Sequence, residues 1–550
     1  MIASQREQRH AHLTASQFDV LVIGGGIVGA SIARDAALRG LRAALVDQGD
    51  FASGASSKTS KLIHGGLRYL EHGRLRLVAE SLRERHTMRT IAPTLVHPLS
   101  VMIPLYTSGS RPPWKVRVGL TAYDLLAGRR GIRGHRVVSA RRAAALEPNL
   151  RIDELRAAAL YADCQMDDAR LCLATVLQAA SFGAVCGNYL QLRELLTAQG
   201  RVCGGAVEDL VTGHAFEVRA KTIVNAAGPW ADAVRRLSRS GAAPRLAPTK
   251  GIHLVVPRLS HEALLVEAHR DRRLVFVLPW GAHSLVGTTE SPVEGALEAL
   301  QATTDEVGYL LDEVNRVLPG SHLDAGDVVA TFAGARPLLG FSGSSTGASR
   351  EHRIEVDEAG LISVLGGKYT TARVMAQQAV DHVVGRLRCR VDRCLTDQIS
   401  LMETPQPVAL AHWQDVARSV DPDLFARFLV RYGSATTAVL RLIAQEPVLA
   451  QPVCPHHAYA TAELIHAFES ECALTITDIL ARRTRIAWSA CHGLDALPVL
   501  TDVMQRYGAV SQERLTEQID AYQRFIAAGL SFHHAAAVSR APSRHQARAG

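Results

Sequence analysis

The first strongly patterned stretch is Phe18 to Ile23 (FDVLVI), a short apolar β-type run. GGGIVGASIARDAALRG follows at once, and then RAALVD, a second buried-strand pattern that ends in Asp47. Strand, glycine turn, helix and strand make the βαβ unit of a dinucleotide-binding fold. Further on, Ile223 to Asn225 reads as a buried strand, and His253 alternates with apolar residues in KGIHLVV. Two prolines and little periodicity in SLMETPQPVAL (400–410) mark a linker. Beyond it, DLFARFLVRYGSATTAVLRLIAQ and AELIHAFESECALTITDILARRTRI place apolar residues three and four apart, which predicts helices and a small α-helical domain over 408–535. Residues 1–17 are polar, of mixed charge and without an apolar signal-peptide core. They read as a disordered extension, as do residues 540–550. No run of about 18 apolar residues is present.

Composition narrows the partners. At 550 residues the chain calls for two or three domains. Lys and Arg number 61 against 53 Asp and Glu, a net charge of +8 that admits an acidic substrate, an acidic cofactor or an anionic membrane face. No basic block interleaved with aromatics is present, so nucleic acid is not expected. The nine cysteines are scattered without a CxxC, as free thiols in a reducing, cytoplasmic compartment would be. Cys389 and Cys394 lack a second ligand pair at zinc spacing, and His456–His457 reads as ordinary surface, so no metal is expected.

In the βαβ unit, Gly24 allows the tight turn and Gly26 the approach of a pyrophosphate to the helix starting near Ile27. Gly29 lets that helix lie close on the sheet. Asp47 can hold both ribose hydroxyls and disfavours a 2′-phosphate, which leaves FAD and NAD open. The loop that follows carries Ser56, Ser57, Thr59, Ser60, Lys61, Leu62, His64, Gly65 and Gly66, a polar, close-packed segment suited to an extended anion.

SSKTSKLIHGGLRYLE in this loop resembles the signature of the FAD-dependent glycerol-3-phosphate dehydrogenases, within the D-amino-acid-oxidase-like flavoprotein superfamily. YADCQMDDARL (161–171), TIVNAAGPWAD (222–232), TKGIHLVVP, FVLPW, LVGTTE, FAGARPL and LGGKYTTAR follow in the family's order, from about Phe18 to Arg373. The resemblance implies an α/β (α+β) fold: a discontinuous Rossmann-like FAD domain over 18–400, a β-rich substrate domain inserted at about 76–160 and 245–330, and a C-terminal α-helical domain. It implies further FAD contacts at Ala227, Gly228 and Trp230, and at Gly366, Gly367, Lys368 and Thr370, where the glycines open a helix aimed at the flavin.

The implied substrate is glycerol 3-phosphate, which needs cationic forks for its phosphate and help in removing the hydroxyl proton. Arg68, Arg336, Arg350 and Lys368 are the candidate cations, with Tyr69 and Thr289 as hydroxyl donors. Arg336 stands out because it sits in an apolar turn, FAGARPLLGF, where an unpaired guanidinium is costly. His253 and His64 are candidate bases, and Arg336 could instead lower the hydroxyl pKa without a dedicated base. Glu290, where the family usually shows aspartate, could alter the orientation of a pocket cation. RPPWKVRVGLTAYDLLAGRRGIRGHR (111–136) mixes Trp114, Leu120, Tyr123 and Leu125 with basic residues. It reads either as an interfacial anchor on anionic lipid or as a charged helix of the substrate domain. A quinone acceptor, peripheral attachment to the inner face of the cytoplasmic membrane and a homodimer complete the expectation. The rivals are an amine or 2-hydroxy-acid oxidase of the same superfamily, an oxygen-using enzyme, a flavoprotein without turnover and an NAD-linked dehydrogenase.

Overall fold

The computed structural model describes residues 2–239, 241–340, 351–403 and 405–533. Its first sheet is built around β1 (Gln17–Ile23) and β2 (Ala43–Val46), parallel to each other and joined through α2 (Ile27–Leu38). The strand Ala215–Asn225 pairs parallel with the other edge of β1, with Leu21 opposite Ile223, and Ile362–Gly366 pairs parallel beyond it. Val185–Gly187 lies on the far side of β2. All four β2 residues are buried, as expected of a parallel sheet covered on both faces. α2 packs on one face with Ile32, Ala33 and Ala36 fully buried. The order of strands confirms the discontinuity: elements separated by some 200 and 340 positions of sequence lie beside the first βαβ unit.

A second, mostly antiparallel sheet of ten strands is inserted between those pieces. Its strands run from Leu62–Ile63 to Leu155–Met166 and from Thr249–Pro257 to Ala330–Arg336, so the sheet reaches past the 76–160 and 245–330 limits expected from sequence. Thr249–Pro257 sits between His283–Gly287 and Ala330–Arg336, and thus His253 and Arg336 belong to adjacent strands. C-terminal to both sheets, helices including Pro422–Tyr432, Thr461–Ser470 and Gln512–Gly529 enclose their own core around Phe428, Ile465, Leu480 and Tyr522.

Two expectations need correction. Residues 1–17, expected to be disordered, contain α1 (Ile2–Ala15): Leu13 is fully buried, and Arg6 donates to both carboxylate oxygens of Asp209 at 2.5 and 3.0 Å. A polar segment folds here because its partners lie some 200 residues away. In α4 (Pro113–Ala127), Leu120 and Tyr123 face the core instead of sharing a surface with Trp114 and Leu125. The Tyr123 hydroxyl donates to Asp163 at 2.7 Å. Trp114, Val118 and Leu125 do project into solvent, at 68%, 62% and 77% exposure. The tail 540–550 lies outside the described residues. No helix among those described is long and apolar enough to cross a membrane.

Candidate active site

A cavity of about 1040 Å³ runs from the carboxyl ends of β1 and β2 to the face of the second sheet. This is where ligands bind in open parallel sheets, since the strand ends diverge there. Gly24 has φ of 108°, and a Cβ on it would stand 2.6 Å from the Ala226 carbonyl oxygen. A Cβ on Gly29 would stand 1.8 Å from the Gly24 oxygen, so Gly29 sets the close packing of α2 without itself lining the cavity. Gly26 precedes α2, and the Ile27 N–H donates to the Ser56 hydroxyl at 2.9 Å. Amides in this first turn, with the helix dipole behind them, form an anion site.

Asp47 lines the same cavity, accepting from the N–H groups of Gly25 at 2.5 Å and Gly49 at 2.7 Å. Burial pushes its carboxyl up to about 6, against the opposing effect of those two amide bonds. A ribose whose hydroxyls donate to the carboxylate would supply what burial removes. The donors, the glycine turns and the size of the cavity fit a dinucleotide.

The hydroxyl-rich loop divides into two groups. Ser56, Thr59, Ser60, Leu62, His64 and Gly66 line the cavity. Ser57, Lys61 and Gly65, expected to do so, do not. Lys61 is buried with its ammonium 2.6 Å from Asp168, which also accepts from the Thr59 hydroxyl at 2.7 Å. A buried ammonium must be paired, and that pairing turns Lys61 away from the cavity. Ser57 gives its carbonyl to the same ammonium at 2.6 Å. Gly65 donates its N–H to Asp163 at 3.1 Å and lies against Tyr123 and Leu82.

Of the later segments in which the resemblance implies FAD contacts, Ala227, Gly228, Trp230, Gly366, Gly367 and Thr370 line the cavity. Gly366 and Gly367 do not themselves open a helix. Gly366 ends its strand, and a 3₁₀ turn begins at Tyr369, ahead of the α-helix Ala372–Leu387. The Thr370 hydroxyl accepts from the His64 N–H at 3.3 Å, which ties this turn to the loop.

The basic residues converge. Arg68, Arg336 and Lys368 line the cavity with Tyr69 and His253, and Lys58, which the sequence reading did not single out, joins them. Its signal was present as a lysine inside the hydroxyl-rich loop. Lys368 Nζ lies 3.9 Å from the centre of the Tyr69 ring and 3.0 Å from the Ser81 hydroxyl, a cation–π and hydrogen-bonded seat that fixes its direction. Arg336 donates to the Thr288 hydroxyl at 2.7 Å and the Thr289 carbonyl at 3.1 Å. Arg350 lies outside the described residues.

Thr289 and Glu290 depart from expectation. The Thr289 hydroxyl accepts from the Ile252 N–H at 3.1 Å and faces Glu306, so Thr288 is the threonine on the cavity. Glu290 does not line it; its carboxylate lies 4.0 Å from Arg273, so its extra methylene orients no pocket cation. His253 stacks on Phe332 at 5.0 Å, and its Nε2 is 2.9 Å from the Ser60 hydroxyl. Burial, then the charges of Arg336 and Lys61, drive its pKa well below the ordinary histidine value, so the ring is neutral. Asp163, within YADC and given no role from the sequence, lines the cavity and accepts from Arg85, Tyr123 and Gly65.

Comparison with known proteins gives the same result for the whole chain. Residues 19–381 match the family described as FAD dependent oxidoreductase, and residues 362–515 match the C-terminal domain of alpha-glycerophosphate oxidase. Glycerol-3-phosphate dehydrogenase 2 of Mycobacterium tuberculosis is 38% identical over 510 residues, spanning 91% of this chain and 86% of that protein. The Synechocystis glycerol-3-phosphate dehydrogenase is 35% identical over 92% of this chain and 96% of its own length. The crystal structure of glycerol-3-phosphate dehydrogenase from Bacillus halodurans, complexed with FAD, superposes with a TM-score of 0.81 at 27% identity. It covers 97% of this chain and 99% of that one. With a dinucleotide cradle at the strand ends, a basic wall facing it and this agreement along nearly its full length, the chain belongs to the FAD-dependent glycerol-3-phosphate dehydrogenase family of oxidoreductases.

Proposed function

We propose that the protein oxidises sn-glycerol 3-phosphate to dihydroxyacetone phosphate and passes the electrons to a quinone at an anionic membrane face. The observation that carries this reading is the convergence of Lys58, Arg68, Arg336 and Lys368 on one cavity with the dinucleotide cradle. A dianionic phosphate calls for several cations, whereas a carboxylate substrate needs one arginine fork. The names of the relatives support the same substrate.

FAD, when bound, would supply the two-electron acceptor for a hydride from substrate C2. The residues of the chain do the rest. Arg68 and Lys368 hold the phosphate, and Tyr69 fixes the lysine from below. Arg336, anchored by Thr288, polarises the C2 oxygen. His253 is the candidate acceptor of the hydroxyl proton by its place on the cavity wall, and Ser60 sets its ring. His64, tied through its backbone to Thr370, borders the cofactor.

Membrane attachment is supported by α4. Trp114, Val118 and Leu125 share one face of the helix, Lys115 and Arg117 are exposed in its first turns, and Arg129, Arg130, Arg133 and Arg136 are exposed in the segment that follows it. An apolar stripe with these basic residues suits anionic lipid, each basic residue contributing about 1 kcal/mol near the surface. A homodimer is part of this proposal.

The test is anaerobic mixing of the FAD-loaded protein with glycerol 3-phosphate. Bleaching of the flavin absorption is expected, and a flavin that stays oxidised would overturn the substrate assignment. Use of oxygen is the second reading, favoured by the C-terminal match to an oxidase domain. Stoichiometric peroxide during aerobic turnover would select it over the quinone.

A further inference from the structure

Far from the cofactor cradle in sequence, the C-terminal domain gathers three soft ligand atoms. Cys454, His457 and Cys491 each offer one, and all lie within 4.8 Å of one another. The backbone builds two of the three positions. Pro452–Cys454 and His457–Ala460 form a hairpin in which Cys454 stands directly opposite His457, so both side chains leave the same face. The N–H groups of His456 and His457 point back at the Cys454 sulfur and fix its direction in the tight turn.

Cys491 arrives from the loop after the 3₁₀ turn Ile486–Trp488. That loop is fixed by its own backbone bonds: Ser489 to the Ile486 carbonyl at 3.2 Å, His492 to that of Ser489 at 2.9 Å, and Leu494 to that of Cys491 at 2.9 Å. Cys491 Sγ lies 3.6 Å from His457 Nε2. Tetrahedral zinc, with bonds of about 2.3 Å to sulfur and about 2.0 Å to nitrogen, separates such a pair by about 3.5 Å. The two atoms therefore already stand along one edge of a coordination tetrahedron. Ser489 Oγ, at 2.8 Å from the same nitrogen and 3.4 Å from the same sulfur, borders the site. Ser489 donates its own proton to the Ile486 carbonyl at 2.7 Å.

We propose that Cys454, His457 and Cys491 bind a zinc ion, with a water at the fourth corner. Two thiolates and an imidazole are the donor set for this borderline-soft cation, and a carboxylate-preferring ion such as magnesium or calcium is excluded by the absence of oxygen ligands among the three. Binding releases the two thiol protons to solvent and involves no redox change. The site is a strut between domains. Trp488, on the loop that carries Cys491, packs edge-on against Phe332 at 5.6 Å, and Phe332 stacks on His253. The zinc holds the loop that buttresses one wall of the cavity. Metal binding itself does not depend on the substrate assigned above.

The test uses the full-length, FAD-loaded protein purified under reducing conditions. Elemental analysis is expected to find about one zinc per chain. After chelation, titration with cobalt(II) is expected to give tetrahedral thiolate d–d bands on the red side of the flavin absorption, saturating at about one equivalent. Cys491→Ser and His457→Gln each lower cobalt affinity by about a hundredfold while FAD content is kept, and Cys389→Ser leaves it unchanged. Absence of the thiolate bands in a protein that retains FAD overturns the proposal. Equal cobalt affinity in His457→Gln and the parent chain does so too, because the metal then sits elsewhere. Should Cys491→Ser not fold, the parent titration and His457→Gln decide the matter on their own.

Discussion

Asp50 receives both arms of the Arg483 guanidinium, at 2.5 and 2.8 Å, across 433 positions of sequence. Asp50 lies just beyond Asp47 at the carboxyl end of β2, and Arg483 belongs to the C-terminal domain. The ion pair therefore joins the cofactor loop to the helical cap. Arg482 donates to the same carboxylate, and Asn188 to its other oxygen at 3.1 Å.

Asp50→Asn leaves the buried Arg483 guanidinium without its paired carboxylate, while Arg482 keeps Asp478. A loss of about 3–5 kcal/mol in unfolding free energy is expected, together with weaker retention of FAD. Urea unfolding monitored by flavin and tryptophan fluorescence measures both. Burial alone would raise the Asp50 pKa, but Arg483 and Arg482 outweigh it and hold the carboxyl below the ordinary range. The folded state therefore binds fewer protons than the unfolded one as the pH falls. The stabilisation is fully present above about pH 4, the unfolded carboxylate value, and is lost on acidification through the lowered folded pKa. Asp50→Asn lacks that acid limb.

Arg336→Gln removes the charge-assisted contact proposed at the C2 oxygen while keeping a donor of similar length. A loss of about 2–3 kcal/mol, roughly 30- to 150-fold in kcat/KM for glycerol 3-phosphate, is expected with FAD content unchanged. Steady-state kinetics with an artificial quinone provide the measurement. A variant as active as the parent would remove Arg336 from the substrate site.

Asp47 makes the affinity for FAD depend on pH. Its carboxyl titrates at about 6 because burial favours the neutral form, and only the anion accepts from both ribose hydroxyls. Affinity of the apoprotein is flat above pH 6 and falls as the pH drops below it, by up to about tenfold per unit. Equilibrium titration with FAD at several pH values shows this slope. Asp47→Asn binds more weakly throughout and shows no slope there.

The exposed face of α4 gives a prediction for lipid. Trp114→Ser with Leu125→Ser weakens co-sedimentation with anionic vesicles by at least about tenfold while turnover in detergent is kept. Raising the salt concentration weakens the parent as well, through its basic residues. Equal sedimentation of the double variant would move the docking face elsewhere.

What the sequence made legible was local. The βαβ unit, Gly24 and Gly29, and the acid at Asp47 are encoded within thirty positions, and the structure places them as the motif requires. Arg336 was legible because an apolar turn makes a lone guanidinium costly. The errors concern partners distant in sequence. Lys61 looked like an anion ligand until Asp168, 107 residues on, claimed its charge. Thr288 and Thr289 exchanged places because the Thr289 hydroxyl is taken by the Ile252 N–H and faces Glu306, both distant from LVGTTE. α1 is mostly polar, and the partner of its Arg6, Asp209, cannot be seen from residues 1–17. His457 looked like surface because Cys491 enters its environment 34 residues later.

The sheet that cradles the cofactor begins with β1 and is completed only by Ile362–Gly366. A ribosome adding about 5–20 residues per second needs about 20–70 s between the start of the chain and that last strand. Until then the strand Ala215–Asn225, once made, lacks the neighbour that completes the floor, and FAD has half a groove to enter. The inserted sheet, contiguous from Thr249 to Arg336 over much of its length, is finished earlier and stands beside an open edge. Loading with flavin is therefore a late event in the life of each molecule. A chain arrested before residue 362 leaves the ribosome with an exposed parallel edge and no means of closing it.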